Sequence, residues 1–365
     1  MSVRRIQLYV LVRTLAGLGA ALAVVVAVIM LVDFVELSRA IGGRMEASFF
    51  DLLLLTSLES PAVVLLLLPF VFLFGVMGAF VALNRRSEFV AMRAAGVSAW
   101  RFVTPAAAAA FLLGLLTVTL LNPAAALMNG RFEDRRLALS DDQGAGRREI
   151  WLRQGDDQHQ IVIHAKSHDT RNKTVRLSGV SLFIQSVQPD GALDFSRRIE
   201  AAHASLQPGY WRLSDVREAV PGSGFIRSEQ LSIPSPLDRR SAMERFAAPS
   251  AVAFWDLPGT IHAAEQAGYS AAAYRLRFQQ LLATPLLFSA MSVLAAAFSL
   301  RLTRLGDLAG LAGAGLALGF VVFFLNQFCG ALGVTDVMPP FVAAWAPPIL
   351  ALLSGVTLLC YTEDG

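Results

Sequence analysis

Several residue types that enzymes depend on are scarce in this sequence. Of its 365 residues only Lys166 and Lys173 are lysines, and neither stands in a Gly-x-x-x-x-Gly-Lys loop, so the chain carries no nucleotide-hydrolysing site of that kind. His-Glu-x-x-His, Cys-x-x-Cys and Gly-x-Ser-x-Gly motifs are also absent. Cys329 and Cys360 fall in or beside apolar runs and indicate no disulfide framework. We therefore expect a protein without a catalytic centre and without a bound cofactor or metal.

Charge is scarce as well, and it is missing in long blocks. Charged residues make up 16% of the chain and hydrophobic residues 55%, a balance too apolar for an ordinary soluble protein. A helix needs about 20 apolar residues to cross the ~30 Å hydrocarbon core. Six charge-free windows reach about that length, between residues 13 and 33, 59 and 85, 101 and 131, 277 and 301, 307 and 336, and 336 and 363. They predict six membrane-spanning helices, the first of them uncleaved.

The arginines predict the orientation of these spans. If the N-terminus lies in the cytoplasm and the spans alternate, the inner segments collect Arg4, Arg5, Arg13, Arg85, Arg86, Arg93, Arg101, Arg301 and Arg304. The two short outer loops hold only Arg39 and Arg44. Because basic residues are enriched in cytoplasmic loops, we expect both termini inside.

The connection between the second and third windows is built as a short helix. Ser87 suits the N-cap, Glu88 lies in the first turn, where the helix dipole favours an acid, and Gly96 suits the position after the C-cap. Phe89 and Met92 share a face with Gly96. An acid within a basic loop indicates a cationic partner, so we predict a helix held by a cytoplasmic protein. A helix that only packs at the membrane interface is the alternative.

Residues from about 140 to 266 have a different character. Short segments rich in β-branched and aromatic residues alternate there with turn signals such as Gly155-Asp156. Six or more short strands predict an all-β sandwich or jelly roll, with a closed barrel as the alternative. The predicted fold class is therefore an α-helical membrane protein with six transmembrane helices and an inserted, jelly-roll-like all-β domain in the periplasm. Its expected parts are 1–136, 137–268 and 269–365.

Two groups of residues in the spans admit a functional or a structural interpretation. Asp33, Glu36 and Arg39 stand at the outer end of the first span, where they would either reach the interface or line a polar cavity. Small residues let helices approach closely. A series of them in the fifth span predicts either packing within the chain or a moving seam with a second subunit. The series is Gly306, Gly310, Ala314 and Ala317, with Gly315 and Gly319 separate from it.

Three spans, an inserted β domain and three further spans resemble the LptF/LptG family, the permeases of the lipopolysaccharide export transporter of Gram-negative bacteria. The stretch from Leu83 to Gly96 is similar to the coupling helix of that family, with its Arg-Ser-Glu start and Ala-x-Gly end. Further similarities are the spacing of Pro61 and Pro69, the strand Tyr210 to Val216, and the stretch Asn326 to Gly333 followed by Pro339-Pro340. The last of these is more like the LptG branch than the LptF branch.

The resemblance implies how the work is divided among subunits. This chain and an LptF-like permease would pair around a cavity, and an LptB-like ATPase dimer would bind ATP and Mg²⁺ and clamp the coupling helices, here at about 84–97. Lipopolysaccharide would leave the outer leaflet of the inner membrane, pass to the β domain and reach a periplasmic bridge through a single-span, LptC-like protein. The residues that match the coupling helix are Arg85, Arg86, Ser87, Glu88, Phe89, Met92, Arg93 and Gly96. Glu88 would pair with an ATPase arginine, and Phe89 and Met92 would insert into the ATPase groove.

The resemblance also implies lipid contacts. Arg39 fits the family's basic position at the outer end of the first span, and Arg131 and Arg135 lie near the basic residues after the third. Arginine forks suit the phosphates of such a lipid. Asp33 stands where many LptG proteins carry a lysine, and an acid there would repel a phosphorylated lipid. A lipoprotein-releasing permease, which usually has four spans, and an envelope scaffold or sensor are the alternative functions.

Overall fold

The computed structural model describes residues 3–41, 48–139, 150–155, 159–169, 175–187, 193–220, 224–235, 252–266, 270–302, 308–335 and 337–364. The chain divides into two compact units. The membrane unit consists of Met1–Leu139, Ala253–Leu257 and Ala272–Gly365, and the sheet unit consists of Ser140–Val252 and Pro258–Ala271.

The helices are α1 (Val3–Ile41), α2 (Phe49–Arg85), α3 (Glu88–Ala94), α4 (Trp100–Leu116), a π-helical turn (Thr117–Leu121), α5 (Asn122–Leu139), α6 (Leu257–Gln266), α7 (Ala272–Leu302), α8 (Leu308–Val334) and α9 (Pro340–Asp364). Within the described ranges, six helical stretches are long and apolar enough to cross a membrane. They are Arg5–Arg39, Phe49–Arg85, Trp100–Glu133, Ala272–Leu300, Gly313–Val334 and Pro340–Thr362. The six predicted spans are thereby confirmed.

Small residues set the closest helix contacts of the membrane unit. A Cβ atom added to Gly17 of α1 would lie 2.4 Å from the carbonyl oxygen of Gly75 in α2, so these two backbones touch where the helices cross. Gly114 of α4 meets Pro285 of α7 in the same way, with 2.5 Å between the added Cβ and the proline Cα. Lipid tails are as apolar as leucine, so helices in a bilayer associate through close packing of this kind.

The third span contains a π-helical turn, and the segment that leads towards α7 packs against it. Trp255 donates its indole N–H to the carbonyl oxygen of Thr119 at 3.1 Å, and the backbone N–H of Phe254 bonds Asn122 Oδ1 at 2.9 Å. The ring of Phe254 also stacks on Phe278 with centroids 5.5 Å apart. A π turn shifts the helical hydrogen bonds by one residue and often marks a functional position. The expected boundary at residue 269 had placed this segment in the β domain, whereas it packs with the membrane unit.

The sheet unit contains an antiparallel sheet whose six strands pair in chain order. The strands are β1 (Ile150–Gly155), β2 (His159–Asp169), β3 (Arg176–Val187), β4 (Leu193–Gln207), β5 (Tyr210–Ala219) and β6 (Ile226–Pro234). The inserted β domain is thereby confirmed. Strands in chain order form a meander, and the described pairings include no Greek-key crossing of the kind that defines a jelly roll.

One face of the sheet carries an aliphatic core. Ile163, Leu182 and Ile199 are aligned across β2, β3 and β4, and all three are buried. Because side chains alternate between the two faces of a strand, this register directs every second residue to the same core. The alternation of apolar and polar residues in the sequence is therefore the cause of the register.

A buried glutamine joins the two edges of the sheet. Gln154 of β1 accepts hydrogen bonds from Trp211 Nε1 of β5 at 3.2 Å and from Ser235 Oγ, just after β6, at 2.7 Å. Its own Nε2 donates to the carbonyl oxygen of Pro234 at 3.4 Å. The sheet therefore curls until its first strand meets the end of its last. Among the described strands no β1–β6 ladder closes it into a barrel.

Candidate functional site

Helix α3 is a short, well-terminated helix between the second and third spans. The backbone N–H of Ala91 bonds the carbonyl of Ser87 at 3.0 Å, which starts the helix, although the Ser87 side chain makes no capping bond. At the other end, Val97 N–H bonds the carbonyl of Met92 at 3.1 Å and Gly96 N–H bonds that of Arg93 at 2.9 Å. This pair is a Schellman motif, which requires the positive φ of 78° that Gly96 adopts.

Phe89 fixes α3 to two of the spans. Its ring is 2% exposed and lies 5.2 Å, centroid to centroid, from Phe80 of α2 and 5.2 Å from Phe102 of α4. Such aromatic pairs stabilise a contact by about 0.5–1.5 kcal/mol beyond the area they bury. The expectation that Phe89 inserts into a partner's groove is therefore wrong for this structure, because the ring already fills a pocket in its own chain.

Glu88 links α3 to the first span. The hydroxyl of Tyr9 in α1 donates to Glu88 Oε1 at 3.2 Å, and Arg13 Nε in turn donates to the Tyr9 oxygen at 3.2 Å. The Glu88 side chain is half-buried. Sequence inspection missed Tyr9 and Arg13 as parts of this site, because they lie more than 70 positions from Glu88 and no local pattern connects them.

Arg93 links α3 to the last span. Its Nη2 donates to the carbonyl oxygen of Thr362, in the final turn of α9, at 3.1 Å. A cation at this position satisfies an otherwise unpaired carbonyl and interacts favourably with the negative end of the helix dipole. The start of α1, helix α3 and the end of α9 therefore lie at one end of the membrane unit. Helix α3 is attached through side chains to α1, α2, α4 and α9.

The outer face of α3 remains exposed. Val90 is 63% exposed, and Ala91 and Ala94 are exposed beside it. The preceding Arg85, Arg86 and Ser87 are exposed as well, whereas Met92 and Arg93 are half-buried. Val90 was not among the predicted residues, although its position next to Phe89 on a helix places it on a different face. The arrangement offers a partner a small apolar surface flanked by arginines.

At the opposite end of the membrane unit, one of the predicted charged residues joins two helices and the others are exposed. Asp33 of α1 is half-buried and accepts a hydrogen bond from Ser60 Oγ of α2 at 3.0 Å, so it joins two helices. Glu36 and Arg39 are exposed on the same helix. On α5, Arg131 and Arg135 are both exposed, one helical turn apart.

An apolar cluster brings these elements together. Leu37 of α1, Leu52 and Leu55 of α2, and Phe132 of α5 are buried against one another. Arg131 is the immediate neighbour of Phe132, and Arg39 lies two residues beyond Leu37. The basic residues predicted from two separate stretches of sequence, one on α1 and one on α5, therefore lie at the same end of the unit.

The fold buries some of the small residues of α8 and leaves others exposed. Gly315 and Gly319 are buried against α2, where an added Cβ would lie 2.7 Å from Met77 Cε and 2.9 Å from Leu73 Cδ2 respectively. Gly310 and Ala317 are exposed and Ala314 is half-buried. Gly306, the remaining member of the predicted seam, lies outside the described residues.

No group of three or more His, Cys, Asp or Glu side chains in the described part of the chain is arranged to hold a metal ion.

Comparison with known proteins agrees with this architecture. The family model described as "Lipopolysaccharide export system permease LptF/LptG" matches residues 8–361. Among curated proteins, the "Lipopolysaccharide export system permease protein LptG" of Escherichia coli strain K12 is 24% identical over 324 residues, which cover 83% of this chain and 84% of the relative. The protein of the same description from Escherichia coli O6:H1 strain CFT073 matches to the same extent. With six membrane helices and an inserted antiparallel sheet, this chain belongs to the LptF/LptG family of lipopolysaccharide export permeases, transporter membrane subunits of the inner membrane.

Proposed function

We propose that this chain is the LptG-like membrane subunit of an ATP-driven exporter that extracts lipopolysaccharide from the outer leaflet of the inner membrane and passes it to a periplasmic bridge. Helix α3 is its coupling helix, and ATP and Mg²⁺ are bound by an LptB-like ATPase dimer. The observation that supports this most directly is the attachment of α3 to four spans while its opposite face stays exposed. Family membership supports the substrate.

The proposed orientation places α3 and both termini in the cytoplasm and the sheet unit in the periplasm. The arginine distribution supports it. The position of the start of α1 and the end of α9 beside α3 supports the placement of all three on one side of the membrane, since an even number of spans returns the chain to its starting side. The exposed Arg85 then faces the ATPase, together with Val90.

Force applied to α3 is transmitted through contacts of unequal stiffness. The Phe89 ring, held between Phe80 and Phe102, moves α2 and α4 with it because a close-packed contact cannot be compressed. The hydrogen bonds from Tyr9 to Glu88 and from Arg93 to Thr362 extend the movement to α1 and α9. Closure of the ATPase dimer would therefore tilt four spans together and narrow the cavity between the two permeases.

Glu88 has two roles in this proposal. Its carboxylate accepts the Tyr9 hydroxyl inside the chain and keeps further acceptor capacity for an arginine of the ATPase. Val90 and Ala94 take the place in the ATPase groove that sequence inspection had given to Phe89, and Met92 lies at the edge of that contact.

The lipid path follows the exposed basic residues of the outer end. Arg39, Arg131 and Arg135 would bind the phosphates of lipopolysaccharide through paired N–H donors. The Asp33 carboxylate accepts the Ser60 hydroxyl and so links α1 to α2. This hydrogen bond reduces the repulsion between the carboxylate and the lipid phosphates. The exposed Gly310 and Ala317 of α8, with Ala314, would face an LptF-like permease. An LptC-like protein would receive the lipid at the sheet unit.

Substitutions on α3 separate coupling from internal packing. Val90→Asp and Glu88→Gln should each reduce co-purification with the ATPase and lipid release from proteoliposomes about tenfold or more, since each removes a contact of ~1.4 kcal/mol or greater. Tyr9→Phe keeps the Glu88 carboxylate and should retain assembly. Glu229→Gln, an exposed acid of β6, is the matched control.

The four variants give distinct outcomes. Loss of assembly in Tyr9→Phe equal to that in Glu88→Gln would assign Glu88 to internal packing alone. Normal assembly and lipid release in Val90→Asp would overturn the coupling role and favour a scaffold function. Folding is monitored in each case by the thermal unfolding of the detergent-solubilised chain.

A further inference from the structure

An apolar groove between α1 and α2 ends in two arginines. The groove has a volume of about 600 Å³ and runs along α1 and α2, and Gly17 and Gly75, where the two backbones touch, are among its lining residues. Ligand pockets in proteins measure roughly 300–1,000 Å³. Ala16, Ala20 and Val24 form one wall and Phe74, Gly78 and Ala82 the other, while Arg13 and Arg86 stand at one end.

The groove exists because many of the residues that line it are alanine or glycine, whose side chains fill little space. On each helix the wall residues recur every three or four positions and so form one continuous face. Ala20, Val24, Gly78 and Ala82 are exposed along it. At the far end, Phe70 lines the groove and packs its ring against Phe320 and Phe323 of α8, with centroids 5.9 and 5.7 Å away. The groove is therefore apolar throughout, closed at one end by aromatic rings and basic at the other.

We propose that this groove binds the acyl chain of an anionic phospholipid from the cytoplasmic leaflet, with the phosphate held between Arg13 and Arg86. Assignment of the leaflet rests on the orientation proposed above; binding of the lipid does not. The site differs from the lipopolysaccharide path, because it lies at the α3 end of the membrane unit, beside Arg86, and not at the end that carries Arg39 and Arg131.

The length of the groove favours a lipid over a helix of another protein. From Arg13 to Val25 it follows α1 for about 18 Å, and from Phe70 to Arg86 it follows α2 for about 24 Å, at 1.5 Å per residue. One leaflet accounts for about 15 Å of the ~30 Å hydrocarbon core. Neither wall reaches the full ~30 Å that a membrane-spanning helix of a partner would follow, whereas an acyl chain needs only the depth of one leaflet.

The charges favour an anionic headgroup. No acidic residue lines the groove. Glu88 accepts the Tyr9 hydroxyl, and the Tyr9 oxygen also accepts the Nε–H of Arg13, which fixes the guanidinium near the mouth of the groove. An arginine carries five N–H donors, so the bond to Tyr9 leaves donors for a phosphate. Arg86 is exposed at the start of the α2–α3 connection.

Lipid retention by the full-length chain tests the headgroup part of the proposal. Native mass spectrometry of protein purified from mixed micelles should show phosphatidylglycerol retained over phosphatidylcholine. Arg86→Gln should lower that retention about fivefold, the effect of ~1 kcal/mol per basic residue at an anionic surface. Arg85→Gln, its exposed neighbour outside the groove, should change retention less than about twofold, because its contribution is only that of a screened surface charge. Equal losses in the two variants, or equal retention of the two lipids, would overturn the site.

Filling the groove tests the acyl-chain part. An added Cβ at Gly78 meets no atom within 4 Å, so Gly78→Leu should fold normally and displace the lipid. Gly19 of α1 is equally open and does not line the groove, which makes Gly19→Leu the matched control. A photo-crosslinking amino acid at position 78 should give an adduct with phosphatidylglycerol. An adduct with a second polypeptide in native membranes would assign the groove to a protein helix and overturn the proposal. None of these readouts depends on the ATPase or on lipopolysaccharide, so their failure leaves the coupling role untouched.

Discussion

The two units of this chain build their cores in different ways. In the sheet unit, large side chains such as Leu182 and Trp211 fill one face completely and are not exposed at all. The membrane unit also buries large side chains, such as Phe80 and Phe102, but it adds close approaches between backbones at Gly17 with Gly75 and at Gly114 with Pro285. Water favours burial of apolar surface by about 25 cal/mol per Å², whereas lipid gives no such force between helices. The lipid surroundings therefore explain why close approach of helix backbones is added to side-chain burial in the membrane unit.

Glycine shows the same contrast. In the membrane unit, Gly75 is present because it lacks a Cβ, and one placed there would lie 2.8 Å from the Cα of Leu18. In the sheet unit, Gly179 adopts a φ of +62°, which other residues rarely accept, so its backbone freedom is what matters. Buried polar groups differ too, since Gln154 serves three partners in the sheet and Ser60 serves Asp33 across two spans.

The largest effect is expected when one leucine is truncated in each core. Leu182 of β3 and Leu73 of α2 are both 0% exposed. Leu182→Ala should lower the local stability of β2 to β4 by about 2–5 kcal/mol. Leu73→Ala should cost less, because the Leu73 side chain is surrounded by lipid tails and not by water when the helices separate. The substitution therefore loses packing but no hydrophobic driving force. Hydrogen exchange of the full-length chain in nanodiscs measures both, and equal losses would show that the two cores do not differ in driving force.

A second effect is expected at the crossing of α1 and α2. Gly75→Val should lower the stability of the membrane unit by about 1–3 kcal/mol, because the new side chain meets backbone atoms that cannot move aside. Gly78→Val carries the same helix-propensity change into open space and should leave the thermal unfolding temperature almost unaltered. If the two variants unfold at the same temperature, the close approach at Gly75 is not what holds these helices.

The buried glutamine of the sheet provides the third test. Gln154→Leu removes the acceptor shared by Trp211 and Ser235 and should cost about 1–3 kcal/mol. Hydrogen exchange should then rise in β1 and β6, the two strands that Gln154 brings together. Gln230→Leu, on the exposed face of β6, is the control and should not change exchange in β1. Unchanged protection in Gln154→Leu would mean that the curl of the sheet depends on its apolar core alone.

The smallest effect is expected at the polar link between spans. The Ser60 hydroxyl is shared between Asp33 and the Thr56 carbonyl of its own helix, 2.7 Å away. Ser60→Ala removes both contacts, and the loss of the Asp33 bond should cost about 0.6 kcal/mol, the average for hydrogen bonds between membrane helices. Ser57→Ala, whose hydroxyl bonds only the carbonyl of Leu53 in its own helix, is the matched control. The difference between their thermal unfolding temperatures isolates the interhelical bond. A loss in Ser60→Ala as large as that in Gln154→Leu would contradict the contrast drawn between the two units.

Much of the architecture could be predicted from local patterns. The six spans follow from charge-free windows, since a bilayer requires a continuous apolar stretch of about 20 residues. The inserted β domain follows from strand-length segments separated by turns. The end of α3 follows from Gly96, because glycine accepts the positive φ that a Schellman motif requires. Ser87 precedes the helix as predicted, but in a left-handed conformation (φ 59°) that serine rarely adopts. Each of these features depends on neighbours in the sequence.

The contacts around α3 could not be predicted from the sequence, because they join residues that are far apart in the chain. Glu88 and Tyr9 are 79 positions apart, and Arg93 and Thr362 are 269 apart, so no local pattern relates them. The role of Phe89 was mistaken for the same reason, since its environment is made by Phe80 and Phe102 on two other helices. The pairing of all six strands in chain order likewise required the fold.

The sequence by itself determined which segments enter the membrane, which form strands and where α3 begins and ends. Only the tertiary structure decided which face of α3 is buried and that its exposed side is the one with Val90. The reason is physical. A bilayer and a backbone act on each segment separately, whereas burial depends on surfaces that distant parts of the chain bring together.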